Sequence, residues 1–162
     1  MKKFTPLIAI AIALTSIGSV LVAAYVEPFA SMNPCPMCMM QRALYLGVGA
    51  FAILTLLTVK HNVARPIFAF LGLICAVIGT AVAGRQVWLQ HLPAEEVPAC
   101  GPPLEYMLEV FPLLEVVQHA LMGTGDCAEI QWQWLGLSIP GWSIILFLGL
   151  ALGNLLVLFR RG

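Results

Sequence analysis

The amino-acid sequence predicts an all-α membrane protein: a four-helix transmembrane bundle with a short interfacial helix in its second outer loop. Three observations predict this fold. Hydrophobic residues make up 60% of the 162 residues and charged residues only 10%, whereas a soluble domain is roughly 25% charged. Four stretches without a charged residue are long enough to cross a membrane. The remaining charged residues are segregated by sign between the loops that join these stretches.

Each of the four uncharged stretches contains at least 17 residues. A hydrocarbon core about 30 Å thick is crossed by roughly 17–25 helical residues, so each stretch can span it once. The last stretch, residues 130–159, is strongly apolar only from Trp142 onward. We therefore predict a single integral membrane domain, residues 1–162. Its predicted spans lie at about 7–25, 43–59, 67–84 and 142–159.

The first stretch also has features of a cleaved signal peptide. Lys2 and Lys3 precede it, and residues 22–24 are small enough for a cleavage site. Its apolar run is longer than the roughly 7–15 residues of a signal peptide, and no polar segment precedes Glu27. We therefore expect a retained transmembrane helix.

The basic residues predict the orientation of the spans. Six of the eight lie at three sites on one side of the predicted bundle: Lys2, Lys3, Lys60, Arg65, Arg160 and Arg161. The positive-inside rule makes this side cytoplasmic, so both termini are cytoplasmic. Two loops then face outward, at about 26–42 and 85–141.

The formal net charge of zero is the sum of two opposite halves. All eight acidic residues fall in the two outer loops, together with only two basic residues, Arg42 and Arg85. A neutral chain with so few cations is not a nucleic-acid binder that works through a basic surface. The predicted surroundings of this chain are membrane lipid.

The long outer loop contains an amphipathic segment at 104–121. Apolar residues recur there at helical spacing, and three glutamates are interleaved with them. Pro112 interrupts the segment and is expected to kink or split it. We expect it to lie flat in the outer interface of the membrane; a soluble helix packed on the loop is the alternative. Residues 123–126 then predict a flexible turn leading into Cys127.

Four cysteines lie on the outer side, where disulfides are permitted. They form two unlike pairs, because Cys35 and Cys38 make a C-x-x-C motif while Cys100 and Cys127 are far apart in sequence. Both pairs could be inert disulfide staples. Against this, a C-x-x-C ring closes so small a loop that it stabilises the folded chain little. Such a motif more often carries redox chemistry or binds a metal.

The residues around the motif favour the redox interpretation. Pro36 suits the first position of a helix, which places Cys35 near the helix cap and Cys38 in its first turn. Unpaired backbone N–H groups and the helix dipole favour a thiolate there. Arg42 follows Cys38 by four residues, on the same helical face. Its guanidinium could stabilise a Cys38 thiolate and hold an anionic or quinoid oxygen, although a snorkelling arginine is the simpler interpretation of Arg42 alone.

Other interpretations of the cysteines and histidines are weaker. A c-type haem would need a histidine directly after Cys38, and a zinc knuckle usually has two close cysteine pairs. We therefore predict no metal site. Cys75, inside the third span, is expected to be a small buried hydrophobe. His91, just past the third helix, is a second candidate residue of the cofactor site, for proton handling, if that helix lies beside the motif.

The chain resembles the disulfide bond formation protein B (DsbB) family over nearly its whole length. The resemblance rests on the C-x-x-C at 35–38 followed by Arg42, on Cys100 and Cys127 in a second outer loop, and on the segment Gly125-Asp126-Cys127-Ala128-Glu129. It implies a multi-pass protein of the bacterial inner membrane. It also implies a thiol oxidase that reoxidises a periplasmic thioredoxin-fold (DsbA-like) dithiol oxidase and passes electrons to the membrane quinone pool, as ubiquinone or menaquinone.

The resemblance also implies a role for each of the four cysteines. A partner thiolate attacks Cys100 in a Cys100–Cys127 disulfide and frees Cys127, which attacks Cys35 and releases Cys38 as a thiolate. Cys38, next to Arg42, then donates to the quinone. Two rival functions stay open: a non-catalytic membrane scaffold stapled by disulfides, and a quinone-linked thiol oxidoreductase that works in the opposite direction.

Overall fold

The computed structural model describes residues 4–30, 34–93, 95–99, 101 and 104–159. Its architecture is a bundle of four long helices, which confirms the predicted fold. These helices are α1 (Phe4–Ala30), α2 (Pro36–Leu57), α3 (Ala64–Leu89) and α7 (Ile139–Phe159). Each is long and apolar enough to cross a membrane, so the chain is a multi-pass membrane protein.

The long helices extend beyond the spans expected from hydropathy alone. α3 continues past the predicted span at 67–84 and ends at Leu89, while α2 begins at Pro36, well before the predicted span at 43–59. These extensions contain polar and charged residues, so they lie outside the uncharged stretches from which the spans were predicted. They bring the start of α2 and the end of α3 to the same level of the bundle, where the cysteines lie.

Small residues allow the helices to pack closely. α3 packs along both α2 and α7, and α1 packs mainly against α2. A Cβ atom at Gly79 of α3 would overlap the ring of Phe147, so only glycine permits this approach of α3 to α7. The Phe147 ring in turn stacks on Tyr45 of α2 with a centroid separation of 3.9 Å. These contacts form the centre of the core.

The long outer loop contains three short helices, α4 (Leu104–Val110), α5 (Leu113–Met122) and α6 (Gly125–Ala128). Pro112 lies between α4 and α5 as the N-cap of α5, which confirms that it splits the amphipathic segment. The flexible turn predicted at 123–126 is wrong in its second half, because the helix α6 already begins at Gly125. Cys127 therefore lies in a helical turn.

The loop returns to the bundle through a two-stranded antiparallel hairpin, β1 (Gln133–Trp134) and β2 (Leu137–Ser138), which the sequence did not predict. Both residues of its turn, Leu135 and Gly136, have positive φ, as a type I′ hairpin turn requires. The Nε1–H of Trp142 donates to the carbonyl of Trp134 at 3.3 Å. This bond holds the hairpin over the start of α7.

Candidate functional site

The C-x-x-C motif forms the N-terminus of α2, as the sequence predicts. Cys35 is the N-cap residue in an extended conformation, and Pro36 occupies the first helical position. The N–H of Met39 donates to the Cys35 carbonyl at 3.2 Å, which closes the first turn. This turn brings the sulfur atoms of Cys35 and Cys38 to 3.0 Å. Cys35 is buried, while Cys38 is partly exposed.

Cys127 reaches the same place from the long outer loop. Its side chain is fully buried and packs in one cluster with Cys35, Met37 and Leu89. The Cys127 side chain interacts directly with the Cys35 thiol. The structure therefore brings three cysteines from two separate loops into contact. A cysteine of the long loop can exchange with the C-x-x-C motif in this arrangement without a large movement.

Two features hold the Cys127 turn against the bundle. Gly123 has φ 83° and ψ 149°, a conformation that is essentially restricted to glycine. A Cβ atom there would overlap Cδ1 of Leu89. Arg85, one of the two basic residues of the outer loops, donates from Nε to the Leu121 carbonyl at 2.5 Å and from Nη2 to the Met122 carbonyl at 3.0 Å. A cation at these last carbonyls of α5 stabilises the helix end directly before the turn.

The hydrogen bonds at Cys127 favour its thiolate. The hydrogen bond with Cys35, together with backbone hydrogen bonds at Thr124 and Met37, outweighs burial and lowers the pKa of Cys127 to about 6. Cys35 has the opposite character. Its hydrogen bonds with Cys127 and Cys38, and its burial, raise the pKa of the Cys35 thiol. Cys127 is thus suited to attack as a thiolate, and Cys35 is suited to be the sulfur that is attacked.

We expect the Cys127 thiol to titrate near pH 6 in a variant that lacks Cys38, Cys75 and Cys100. Because a lowered pKa makes the thiolate predominant above about pH 6, the ultraviolet absorbance of the thiolate should be close to its maximum at neutral pH. It should fall about tenfold for each pH unit well below 6. Adding Cys35→Ala should move the midpoint upward, since the largest stabilising contact is lost. An identical midpoint with and without Cys35 would contradict this account.

Two buried glutamines complete the cysteine site, and sequence reasoning missed both. Gln86 of α3 donates from Nε2 to the sulfur atoms of Cys35 and Cys38, at 3.4 and 3.3 Å. Gln41 of α2 donates from Nε2 to Oε1 of Gln86 at 2.7 Å. One signal could have indicated them, because both lie at a membrane boundary, Gln41 three residues after Cys38 and Gln86 directly after Arg85. Amide side chains are costly to bury there unless they have a function or a partner.

Arg42 lies at this site, but its hydrogen bonds differ from the expectation. Its Nη2 forms an ion pair and hydrogen bond with Oε1 of Glu27 in α1. Its Nη1 contacts the sulfur of Met39 at 3.8 Å. Arg42 thus shares a cavity with Cys38 while its charge is paired with Glu27. The ion pair also joins the outer ends of α1 and α2.

A cavity of about 590 Å³ opens between the outer halves of α1, α2 and α7 and the hairpin. Cys38 and Gln86 line one part of it, and Arg42 and Glu27 line another. The remaining walls are mostly apolar and include the aromatic side chains Tyr45, Trp132, Trp134 and Trp142. A volume in the range of roughly 300–1,000 Å³, apolar walls and a few convergent polar groups are typical of a site for a small organic ligand.

The other candidate residues lie elsewhere. His91 follows the end of α3, is exposed, and places Nδ1 2.8 Å from the Val87 carbonyl; it is not among the residues that line the cavity. Cys75 lies in the middle of α3 beside Gly47. Cys100 lies outside the described residues. Within the described part of the chain, no three His, Cys, Asp or Glu side chains are grouped closely enough to hold a metal ion.

Comparison with known proteins shows a family to which the chain is similar. The family model "Disulfide bond formation protein DsbB" matches residues 5–157. A disulfide bond formation protein B of Marinobacter nauticus is 48% identical over 144 residues, which cover 89% of this chain and 86% of that protein. Proteins of the same name from Hahella chejuensis and Nitrosococcus oceani are 49% and 40% identical, over 77% and 87% of this chain and 76% and 83% of their own lengths.

Proposed function

Because the chain belongs to the disulfide bond formation protein B (DsbB) family, we propose that it is a quinone-dependent thiol oxidase. It reoxidises a periplasmic DsbA-like dithiol oxidase and passes the electrons through two cysteine pairs to a membrane quinone. Family membership makes it an oxidoreductase of disulfide bond formation. The observation that carries the finer proposal is the contact of Cys35, Cys38 and Cys127 at the edge of a ligand-sized cavity.

The proposed location is the bacterial inner membrane, with both termini in the cytoplasm. The distribution of basic residues supports this orientation. Lys60 in the turn between α2 and α3 and Arg65 at the start of α3 lie at one end of the bundle, while the acidic residues lie at the other end. The cysteine site then faces the periplasm, where disulfides persist. The short helix α5 fits the outer interface, since Leu113, Leu114 and Met122 are exposed on it.

The exchange begins at Cys100 in a Cys100–Cys127 disulfide. A thiolate of the partner bonds to the Cys100 sulfur, and Cys127 leaves as a thiolate. The second thiol of the partner then attacks the partner's own sulfur in the mixed disulfide, which releases an oxidised partner and the Cys100 thiolate. The partner thereby loses two electrons and two protons. A DsbA-type couple near −120 mV is strongly oxidising, so this chain must deliver the electrons to an acceptor more oxidising still.

The second exchange occurs at the observed cysteine site. The Cys127 thiolate attacks Cys35, the Cys35–Cys38 bond breaks, and the electron pair leaves on Cys38. The raised pKa of Cys35 fits this direction, because the better leaving group is the sulfur with the lower pKa. Attack of the Cys100 thiolate on Cys127 re-forms the Cys100–Cys127 disulfide and leaves Cys35 and Cys38 reduced.

The cavity supports the proposal that the electron acceptor is a quinone. Its apolar walls suit a lipid-soluble ring, Cys38 opens onto it, and the Arg42 guanidinium is a donor for a quinoid oxygen. A bound ubiquinone or menaquinone would supply an acceptor for the two electrons and two protons that the Cys35 and Cys38 thiols lose when their disulfide re-forms. Arg42 would orient that ring, and Trp132, Trp134 and Trp142, which line the cavity, would help to exclude water from it. His91 stays a candidate for proton handling on the basis of its sequence position alone.

The proposed function is tested with the purified protein, a reduced thioredoxin-fold dithiol oxidase and a short-chain ubiquinone, by following the quinone absorbance. We expect catalytic quinone reduction that depends on the partner. A stapled scaffold would give no reduction above the protein-free rate. Partner reduction driven by quinol, without the forward reaction, would show an enzyme of opposite direction.

The Cys100→Ala variant is expected to lose partner-driven turnover while it keeps part of its direct oxidation of dithiothreitol. The partner's point of attack is absent in this variant, whereas a small dithiol can still reduce the Cys35–Cys38 disulfide. Both rates are measured with the same quinone. Complete loss of both rates would mean that the assignment of roles to the two cysteine pairs is wrong.

The Arg42→Ala variant is expected to raise the apparent KM for quinone about tenfold or more, with all disulfides still formed. The reason is the loss of a charge-assisted hydrogen bond, which contributes roughly 1.5–3 kcal/mol. Glu27→Gln is the matched control, because it releases the guanidinium from its ion pair and should lower the KM. An unchanged KM in Arg42→Ala would contradict a role in quinone binding.

A further inference from the structure

Two glutamine side chains beside the cysteines are buried away from water and cannot form hydrogen bonds with it. Gln86 is 3% exposed and Gln41 is 5% exposed. Gln41 donates to Oε1 of Gln86, and the Nε2 group of Gln86 lies 3.4 Å from the Cys35 sulfur and 3.3 Å from the Cys38 sulfur. Burying two amides is costly unless their hydrogen bonds are made, and here the sulfur atoms take part in making them.

The amide of Gln86 has a donor end and an acceptor end of nearly the same shape. Gln41 donates from Nε2 to Oε1 of Gln86 at 2.7 Å, and Nε2 of Gln86 is thereby directed at the cysteines. A neutral Cys38 thiol can also donate to Oε1 at 3.8 Å. Rotating both amides would turn the Gln86 carbonyl toward the sulfur atoms and repel a thiolate. The observed orientation is therefore the one that stabilises negative charge on Cys38.

We infer that Gln86 is a catalytic residue that donates a hydrogen bond to the Cys38 thiolate as it leaves Cys35, and that Gln41 is a positioning residue that holds the Gln86 amide in place. The inference rests on the proposed function for the identity of the leaving sulfur. In that step Cys127 bonds to Cys35, the Cys35–Cys38 bond breaks, and the electron pair moves onto Cys38 without any proton transfer. Gln86 meets the developing charge with a preorganised N–H group.

The charged and titratable groups around Cys38 do not by themselves stabilise its thiolate, so a neutral hydrogen-bond donor is useful there. Cys35 and Cys127 are in the same cluster. Asp126 and Glu129 line a small cavity together with Cys35 and Cys38, and their charges would oppose a thiolate. Across the large cavity, Tyr45 contributes to the lining, and Arg42 is paired with Glu27. Gln86 supplies a short-range donor at the sulfur itself, independent of the Arg42 ion pair.

The test uses protein with Cys75, Cys100 and Cys127 replaced by alanine, so that only Cys35 and Cys38 remain. After reduction, the rate of Cys38 alkylation by iodoacetamide at neutral pH is measured by mass spectrometry, together with the ultraviolet absorbance of the thiolate. Gln86→Leu should slow alkylation roughly 10- to 100-fold, the range expected for a hydrogen bond to a charged group. Gln41→Leu should slow it by a smaller factor.

Gln90→Leu is the matched control. Gln90 lies about one turn further along the chain at the end of α3, and its Oε1 accepts a hydrogen bond from Ser138. It should leave the alkylation rate unchanged. The double variant Gln41→Leu/Gln86→Leu serves if Gln86→Leu alone does not fold, because replacing both partners leaves no buried amide unsatisfied. It should react as slowly as Gln86→Leu.

Alkylation of Cys38 at the parent rate in Gln86→Leu, or in the double variant, would overturn the role of Gln86. A slow Gln86→Leu with an unaffected Gln41→Leu would overturn the positioning role of Gln41. Equal slowing by Gln90→Leu would show a general structural effect and also overturn the inference. These measurements need neither partner nor quinone, so a failure of the wild-type protein to reduce quinone would reject the proposed function separately.

Discussion

Cys38→Ala should abolish catalytic quinone reduction, down to the rate of the protein-free control. Cys38 is the sulfur that opens onto the cavity in which we place the quinone, so its loss removes the donor. The variant should still oxidise the reduced partner once, because the Cys100–Cys127 disulfide is consumed without being renewed. Quinone absorbance and the number of partner molecules oxidised per protein are measured in the same reaction.

Cys75→Ala is the control for this variant. Cys75 lies within α3 beside Gly47, remote from the other described cysteines, and its replacement should leave the turnover rate unchanged. Continued multiple turnover by Cys38→Ala would show that electrons reach the quinone by another route. Equal loss in Cys75→Ala would show damage to the bundle.

Gly123→Ala should slow partner-driven turnover by roughly 5- to 150-fold. The conformation of Gly123, φ 83° and ψ 149°, costs a non-glycine residue about 1–3 kcal/mol, which corresponds to that factor in an equilibrium. In addition, the new Cβ atom would overlap the Leu89 side chain. The turn must shift, and Cys127 moves away from Cys35.

Direct oxidation of dithiothreitol at the Cys35–Cys38 pair should be nearly unaffected in Gly123→Ala, since that reaction does not use Cys127. Gly84→Ala is the matched control, because an added methyl group at Gly84 would meet no atom of the described residues within 4 Å. Gly84 also lies inside α3, where alanine is favoured. A full partner-driven rate in Gly123→Ala would show that the docked turn does not limit the exchange.

Local stereochemistry made part of the cysteine site predictable. Pro36 cannot occupy most helical positions but fits the first one, so the start of α2 and the capping position of Cys35 follow from this proline. Pro112 splits the amphipathic segment for a related reason: its ring cannot continue a helix. The hairpin at 133–138 was not predicted. Its turn has positive φ at Leu135 and Gly136, which is the geometry that joins two short antiparallel strands.

Contacts between distant residues were not predictable in this way. Gln86 is 48 positions from Cys38. Its place at a membrane boundary indicates that its amide needs a partner, but not that the partner is the C-x-x-C motif. The Arg42 expectation shows the same limit. Its spacing from Cys38 is a property of one helix, whereas its ion pair with Glu27 depends on how α1 lies beside α2.

Three features follow from the sequence alone: the four apolar helices, the loops that carry the charges, and the start of a helix at Cys35 and Cys38. Hydropathy, charge and proline stereochemistry act along the chain, so they can be assessed one segment at a time. Three other features become visible only in the folded protein: Cys127 packs against Cys35, Gln86 reaches the sulfur atoms with Gln41 behind it, and Arg42 is paired with Glu27. These contacts depend on the rotation and approach of whole helices, which close packing across the bundle sets.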